Sequence, residues 1–420
     1  MGYVAIERVQ THMTHAGLDG LLVFSPENFE YFSGVSGFPV TMWRRAGPAA
    51  ALVSAQGRTA YVAPETAQPA VRRANPTATV FSYPLWIEQV DVAEIAAEME
   101  ITTRIDLATR GRVHVRPETY DRDIVDGLLV EAVHQFGLAD RRVGVDLEFA
   151  PAADIRRLHD LLPAVEFFNA SPLIRELRLI KSAAEIEILR RCVRLTEQGI
   201  VAALAGLDAT TVAQDIRGRF AEACSAAARR SGALGFQLAQ TTVHLGPLLW
   251  ARTDPNRTAQ RGDIVQFDSF VQLQGYKSDM GRTFTFGPPS AAQRRIQDAL
   301  LAGFAAGLEK LRPGERFCDV FAAVTEAVRR AGFPSYARGH VGHSIGSDVD
   351  GEEWPWLSAT EQRVLEPGMV LAFEVPYYVN GVGGFQNEDD LLITADGHES
   401  FNRLLLDLTD VGEIAYAVAE

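Results

Sequence analysis

The stretch Gly262–Thr285, GDIVQFDSFVQLQGYKSDMGRTFT, contains two aspartates in an otherwise strand-forming run. β-branched and aromatic residues surround Asp268 and Asp279, and Gln274-Gly275 is typical of a tight turn, so the stretch predicts a β-hairpin. If the hairpin closes over Leu273-Gln274, the register places Asp268 directly opposite Asp279, with Cβ atoms roughly 5 Å apart. Two carboxylates that close repel each other unless a proton or a cation lies between them, which points to a metal pair.

Three downstream segments supply further candidate ligands. His343 lies in the glycine-rich string GHVGHSIG, Glu374 follows an apolar run, and Glu388 follows GGFQN. Glycines allow the backbone to come close to a crowded centre. Together with the two aspartates these residues supply four carboxylates and one neutral imidazole, whose four negative charges balance two divalent cations and leave room for a bridging water or hydroxide.

The order Asp268, Asp279, His343, Glu374 and Glu388, with the strings SDMGRTF, GHSIG, GGFQNEDD and LEPGM, resembles the pita-bread (M24) metallopeptidase superfamily of methionine aminopeptidase, aminopeptidase P, prolidase and creatinase. The likeness covers nearly the whole chain. It implies an α/β (α+β) fold, in which a creatinase-like N-terminal domain precedes a catalytic domain with a curved antiparallel sheet. It also implies a homodimer and two divalent metal ions bound by those five residues, with manganese as the first expectation and iron, cobalt or zinc as alternatives.

Length and local patterns predict two domains. A chain of 420 residues with 47% apolar residues can build two cores. Strand-like segments alternate with helical ones, such as Pro117–Gln135, in the first part, which indicates an α/β arrangement. Capping boxes at Ser182-x-x-Glu185 and Ser290-x-x-Gln293 predict the starts of two helices in the second. We place the boundary so that the domains comprise 1–170 and 171–420.

Composition excludes several partners. A net charge of −14 argues against nucleic acid or an anionic membrane, because binding to either requires clustered Lys and Arg. No apolar run is long enough to span a bilayer, and the N-terminus has no signal-peptide pattern. The scattered Cys192, Cys224 and Cys318 are typical of buried thiols in a reducing compartment. We therefore expect a cytoplasmic enzyme with a small-molecule or short-peptide substrate.

The catalytic residues are predicted less directly. Glu374 is placed to take a proton from the bridging water, and His340 could act as a proton shuttle. Peptidases of the resembled family carry a His at a position that is Ala251 here. His244, seven residues earlier, is the candidate replacement.

Two further positions differ from prolidase-like sequences. Asp350 stands where those sequences have a His, and Gln386 where they have an Arg. These replacements would suit a cationic substrate, because Trp250 and neighbouring acidic and aromatic residues attract cations. The aromatic and acidic candidates are Trp354, Trp356, Tyr377, Tyr378, Glu352 and Glu353. Arg44, in the loop Met42–Arg45, is a candidate clamp for a substrate carboxylate.

Three functions remain open at this point. The first is a dinuclear hydrolase of a small amide, such as an Xaa-Pro peptide or a related C–N bond. The second is a non-peptidase relative that acts on a small cation, resembling creatinase or the dimethylsulfoniopropionate lyases. The third is a non-catalytic binding module, which the complete ligand set disfavours.

Overall fold

The computed structural model describes residues 2–111, 115–349 and 351–416. The chain divides into two compact units, one ending at Leu177 and the other beginning at Arg178. Our boundary at residue 170 stays a prediction. No helix in these described ranges is both long and apolar enough to cross a lipid bilayer.

The first unit is built on one six-stranded mixed sheet in the order β4-β3-β2-β1-β5-β6. Its strands are β1 Gly20–Val23, β2 Ala50–Ser54, β3 Thr59–Pro64, β4 Thr79–Tyr83, β5 Arg142–Val145 and β6 Glu166–Asn169. Its helices are α1 Ile6–Ala16, α2 Pro26–Ser33, α3 Gln68–Ala74, α4 Ile101–Thr109, α5 Arg122–Gln135 and α6 Ala152–Leu161, and α7 Ser171–Leu179 follows. Strands β1 and β2 are buried along their whole length. The predicted α/β arrangement is confirmed.

The second unit contains two five-stranded sheets, in the orders β18-β10-β8-β7, with β9 beside β8, and β12-β11-β13-β16-β17. A two-stranded sheet pairs β14 with β15. The helices are α8 Ala183–Leu204, α9 Ala213–Arg230, α10 Ala291–Leu308 and α11 Phe317–Arg330. The strands are β7 Phe236–Leu245, β8 Asp263–Leu273, β9 Tyr276–Lys277, β10 Met280–Phe286, β11 His340–Ser344, β12 Glu353–Ser358, β13 Val370–Glu374, β14 Tyr377–Val379, β15 Gly383–Phe385, β16 Glu388–Ile393, β17 His398–Ser400 and β18 Thr409–Asp410.

Local capping explains where α5, α8 and α10 begin. The two predicted capping boxes are present, so α8 starts after Ser182 and α10 after Ser290. Our prediction of a helix from residue 117 is wrong at its start. The Asp121 side chain accepts hydrogen bonds from the backbone N–H groups of Asp123 and Ile124, and α5 therefore begins at Arg122.

The central hairpin forms with a register that differs from the predicted one. Its two-residue turn is Gln274-Gly275, where φ is 50° and 85°, so the chain reverses one residue later than expected. Asp268 therefore pairs with Gly281, and the prediction that it lies directly opposite Asp279 is wrong. A shift of two residues in the partner strand keeps both aspartates on one face of the hairpin, as diagonal neighbours.

A buried carboxylate ties the end of β5 to the start of α2 in the first unit. Asp146 accepts hydrogen bonds from the backbone N–H groups of Phe24, at 3.0 Å, and Ser25, at 2.9 Å. It also accepts one from the side chain of Asn28 at 2.9 Å. Because Asp146 is only 2% exposed, water cannot replace these bonds if it is removed.

We expect Asp146→Ala to lower the free energy of unfolding of the first unit by about 3 kcal/mol, since it leaves buried N–H donors unpaired. Urea unfolding followed by circular dichroism measures this loss. Asp140→Ala is the matched control, because that carboxylate is exposed in the turn before β5 and should change little. Equal urea midpoints for the two variants would show that Asp146 does not hold this junction.

Candidate metal centre

The first two carboxylates of the site come from the central hairpin. Asp268 lies in the middle of β8, and Asp279 lies in the short break between β9 and β10. The backbone N–H of Asp279 donates to the carboxylate of Asp390 on β16, at 3.1 Å to the nearer oxygen. This bond fixes the break in the strand, so the Asp279 side chain is held where the two sheets of the unit meet.

The other three predicted ligands come from neighbouring strands of the second sheet. Glu374 ends β13 and pairs directly with Glu388, which begins β16. His343 lies on β11 and pairs with Ala372 of β13. At Gly342 φ is 134°, and an added Cβ would lie 2.3 Å from the carbonyl oxygen of Ala372, so glycine is required for this close approach.

The side chains converge on one open cleft of about 220 Å³. Ligand atoms of Asp279, His343 and Glu388 all lie within 4.8 Å of one another. The Nδ1–H of His343 donates to the carbonyl oxygen of Ser344 at 3.0 Å, which leaves Nε2 free, 3.6 Å from an Asp279 oxygen. Asp268 and Glu374 line the same cleft. All five predicted ligands are therefore brought together.

The electrostatics of the metal-free site favour a cation. Burial raises the pKa of Asp268 to about 6 and that of Glu374 to about 7. Burial, and then the neighbouring carboxylates, raise the pKa values of Asp279 and Glu388 well above their usual range. Burial lowers the pKa of His343 to about 4, which keeps its imidazole neutral. Oxygen donors with one neutral nitrogen are a donor set that suits divalent metals such as Mn²⁺, Fe²⁺, Co²⁺ or Zn²⁺.

His340 lies beside the ligands, and its role as a proton shuttle stays a prediction. Its Nδ1 is 3.3 Å from a Glu374 oxygen, and its Nε2 is 3.6 Å from a Glu352 oxygen. The backbone N–H of Gly342 donates to the same Nδ1 at 3.4 Å, so this nitrogen is an acceptor. Burial lowers the pKa of His340, which favours the neutral form.

Sequence reasoning missed Arg338 at this site. Its Nη2 donates to Glu374 at 2.6 Å, and it is the only Lys or Arg among the described residues that line the cleft. Arg338 lies two positions before His340, immediately before the GHVGH string, and this proximity is the one sequence feature that could have indicated its place in the site. Glu352 and Tyr378, which sequence reasoning treated only as candidate contacts for a cation, line the cleft as well.

His244 and Trp250 lie next to each other rather than among the ligands. His244 is on β7, buried, with its Nδ1 2.6 Å from Gln266 Oε1. The Trp250 ring is 5.3 Å from the His244 ring and 4.7 Å from the ring of Tyr378. Trp250 is 56% exposed, so its other face is open. Tyr378 connects this aromatic group to the cleft.

Several other candidates are placed elsewhere or have other partners. Arg44 belongs to the first unit, where it pairs with Glu27 at 2.8 Å, and its role as a clamp stays a prediction. Asp350 lies outside the described residues. Tyr377 packs against Phe333 and Tyr336, and the Trp354 ring is covered by a guanidinium group. These two rings are therefore engaged by the protein itself.

Comparison with known proteins agrees with this geometry. The model of metallopeptidase family M24 matches residues 187–395, and that of the creatinase/prolidase N-terminal domain matches residues 6–180. The chain belongs to metallopeptidase family M24. This membership identifies it as a metal-dependent hydrolase and confirms the predicted family and fold class.

Individual relatives are prolidases and aminopeptidases. The chain is 27% identical to the Xaa-Pro dipeptidase of Pyrococcus furiosus over 55% of its own length and 65% of the relative's. The solved Xaa-Pro dipeptidase of Bacillus anthracis superposes with a TM-score of 0.76 at 20% identity, over 96% of this chain and 98% of that one. The X-Pro aminopeptidase of Thermotoga maritima gives 0.74 at 17% identity, over 95% and 99%. These two structures show a shared fold.

We expect the metal-free protein to lose stability as pH rises from about 4 to about 8. Asp268 and Glu374 have folded pKa values of about 6 and 7, above the ordinary 3.8 and 4.5, so the folded state holds protons that the unfolded state has released. Their contribution is therefore fully present at low pH and is lost as pH rises through the folded values. Urea unfolding of chelator-treated protein at several pH values measures the slope.

Two comparisons make this pH experiment specific to the site. Addition of Mn²⁺ should restore stability at pH 8, because a cation replaces the protons. Asp279→Asn removes one of the four mutually repelling carboxylates, so its metal-free form should show a weaker pH dependence and little stabilisation by Mn²⁺. A pH slope that is the same in both proteins would contradict this account of the cluster.

Proposed function

We propose that the protein is a dinuclear metal-dependent hydrolase that cleaves Xaa-Pro dipeptides. The observation that carries this proposal is the convergence of four carboxylates and one neutral imidazole on a single cleft. The names of the relatives supply the substrate class. We further propose Mn²⁺ as the metal and a homodimer as the assembly, which rest on the family resemblance, and the cytoplasm as the location, which rests on the composition and the scattered thiols.

Asp268, Asp279, His343, Glu374 and Glu388 would hold the two ions. When bound, such ions supply an activated water and polarise the carbonyl group that is attacked. The protein must then move one proton from the attacking water to the leaving nitrogen. Glu374 is the group we assign to receive that proton, because it lies in the cleft beside a second acceptor.

His340 is the group we assign to pass the proton on. Its unprotonated Nδ1 lies 3.3 Å from Glu374, and its Nε2 faces Glu352, which is 58% exposed at its side chain. The three side chains lead from the interior of the cleft to solvent. A proton taken up by Glu374 can therefore exchange with solvent along this path, and the leaving nitrogen receives its proton from Glu374 or His340.

Arg338 is the group we assign to the carboxylate of the dipeptide. Its Nη2 and Nε bond to Glu374 and to the carbonyl oxygen of His340, whereas its Nη1 has no hydrogen-bond partner among the described residues. A guanidinium with one free edge in a cleft can donate to an incoming anion. This assignment replaces the family arginine whose position Gln386 occupies.

Turnover tests the proposed function. We expect Mn²⁺-loaded protein to hydrolyse Xaa-Pro dipeptides in a mass-spectrometric assay, and Glu374→Gln to lower kcat by about 10²–10⁴-fold, as for loss of a group that transfers a proton. Small guanidino and sulfonium compounds form the second arm of the assay. Intact dipeptides together with consumption of a cationic compound would favour the non-peptidase alternative. Binding of Mn²⁺ without any turnover would favour a binding module.

The role of Arg338 is tested by comparing two substrates. A dipeptide and its C-terminal amide differ in the anionic group alone, so their kcat/KM ratio isolates recognition of the carboxylate. We expect Arg338→Met to reduce this ratio by about 10–100-fold, which corresponds to the loss of a charge-assisted hydrogen bond. Arg330→Met, on the exposed face of α11, is the control. An unchanged ratio in Arg338→Met would rule out this assignment.

A further inference from the structure

Behind the cleft, four buried side chains form a continuous series of hydrogen bonds. His244 Nδ1 lies 2.6 Å from Gln266 Oε1. Gln266 Nε2 donates to Gln386 Oε1 at 2.5 Å, and Gln386 Nε2 donates to Glu388 Oε2 at 2.8 Å. None of the four residues is more than 6% exposed, so water does not compete for these bonds. The series connects β7 and β8 of one sheet to the first residue of β16 in the other.

The polarity of the series is set at Glu388. A carboxylate that binds a metal only accepts hydrogen bonds, so Gln386 must turn its amino group towards Glu388. The carbonyl oxygen of Gln386 then faces Gln266, so Gln266 must donate to it with its amino group. The carbonyl oxygen of Gln266 is left for His244. Because a carbonyl cannot donate, the proton of the neutral imidazole must be on Nδ1, and Nε2 keeps its lone pair.

Two further groups contact the Gln386 amide, and one of them, the Asp268 carboxylate, favours this orientation. Burial raises the pKa of Asp268, and a hydrogen bond from Gln386 opposes that shift, so the Gln386 amino group serves two carboxylates. The Tyr378 hydroxyl donates to the Gln386 carbonyl oxygen at 3.3 Å. A flipped amide would place its oxygen against two carboxylates and its amino group against the amino group of Gln266, whereas the Tyr378 hydroxyl can donate or accept and fits either orientation. The reversed orientation is therefore excluded by the two carboxylates and Gln266 together.

We propose that Gln266 and Gln386 are positioning residues that transmit the acceptor-only state of Glu388 to His244, and so hold its imidazole as the Nδ1–H tautomer. This inference rests on the proposed function, because it requires Glu388 to be a metal-bound carboxylate. Its consequence is a fixed acceptor, His244 Nε2, beside Trp250 and Tyr378. That nitrogen has no hydrogen-bond partner in the described ranges of the chain, and it can accept from an N–H group of the substrate.

The tautomer of His244 is the direct test. We would load the full-length, ¹⁵N-histidine-labelled protein with diamagnetic Zn²⁺ and record long-range ¹H–¹⁵N correlation spectra, assigning the signal with a His244→Gln variant. We expect the Nδ1–H pattern in the wild type. Gln386→Met keeps the shape of the side chain but removes its polar atoms, and it should produce a mixture that includes the Nε2–H form. Gln386 does not contact His244, so a purely structural role would leave the tautomer unchanged.

Matched variants complete the experiment. Gln272→Met is also on β8, and the Gln272 side chain bonds among the described residues only to the Gly275 carbonyl oxygen, so this variant should keep the wild-type spectrum. Gln266→Met removes the hydrogen-bond acceptor of His244 Nδ1, so it should produce a mixture of tautomers and leave the Zn²⁺ affinity close to that of the wild type. Gln386→Met should weaken Zn²⁺ binding by about 10–100-fold, as for loss of a residue that orients a ligand. Gln266→Met also tests the tautomer if Gln386→Met does not fold.

The possible failures can be told apart. An Nε2–H pattern in the wild type, or an unchanged tautomer in folded Gln386→Met, would overturn the proposed positioning role of Gln266 and Gln386 but would not affect the proposed metal site. Zn²⁺ affinity is measured by competition with a chromophoric chelator, and Glu388→Gln should reduce it. Undiminished Zn²⁺ affinity in Glu388→Gln would instead contradict the proposed metal centre, on which the inference about the His244 tautomer rests.

Discussion

The mutual repulsion of four carboxylates in one cleft is the constraint on which the second unit depends. Asp268, Asp279, Glu374 and Glu388 come from two sheets, and burial makes each of them costly to ionise. No single element could hold them, because neighbours along a strand point to opposite faces. The fold therefore brings together a hairpin and a pair of adjacent strands, and the cost of doing so is offset only when protons or metal ions occupy the cleft.

Behind the ligands, the protein uses a buried cation to hold the backbone in place. Arg282, in the SDMGRTF string, is 1% exposed and donates to the carbonyl oxygens of Glu388, at 2.5 Å, and Leu404. It also pairs with Asp389 at 2.6 Å. These contacts join β10 to β16, the strands that follow Asp279 and begin with Glu388. The guanidinium thus holds the backbone next to Asp279 and Glu388, and its charge is neutralised by Asp389, which is not a predicted ligand.

The features of the fold and the site that the sequence predicts are those that depend on local patterns. Capping boxes and the ligand order could be predicted because each depends on residues a few positions apart or on short strings. The hairpin register was missed by two residues because Gln274, a non-glycine residue with positive φ, lies in the turn itself. Arg338 was missed because an isolated arginine carries no pattern. The contact between Gln266 and Gln386 spans 120 positions, and no spacing rule reaches that far.

The resemblance led us to expect an arginine at position 386, whereas the positive charge of this cleft is carried by Arg338. The amide of Gln386 is neutral, so it places no fixed positive charge beside Asp268 and Glu388. The neutral amide of Gln386 still donates to both carboxylates, and its carbonyl oxygen remains available to extend the hydrogen bonds to His244. Arg338 supplies the cation next to Glu374, and in the proposed function its Nη1 donates a hydrogen bond to the substrate carboxylate. In the function proposed above, ligand orientation and anion recognition are divided between two side chains, the amide of Gln386 just before β16 and the guanidinium of Arg338 just before β11.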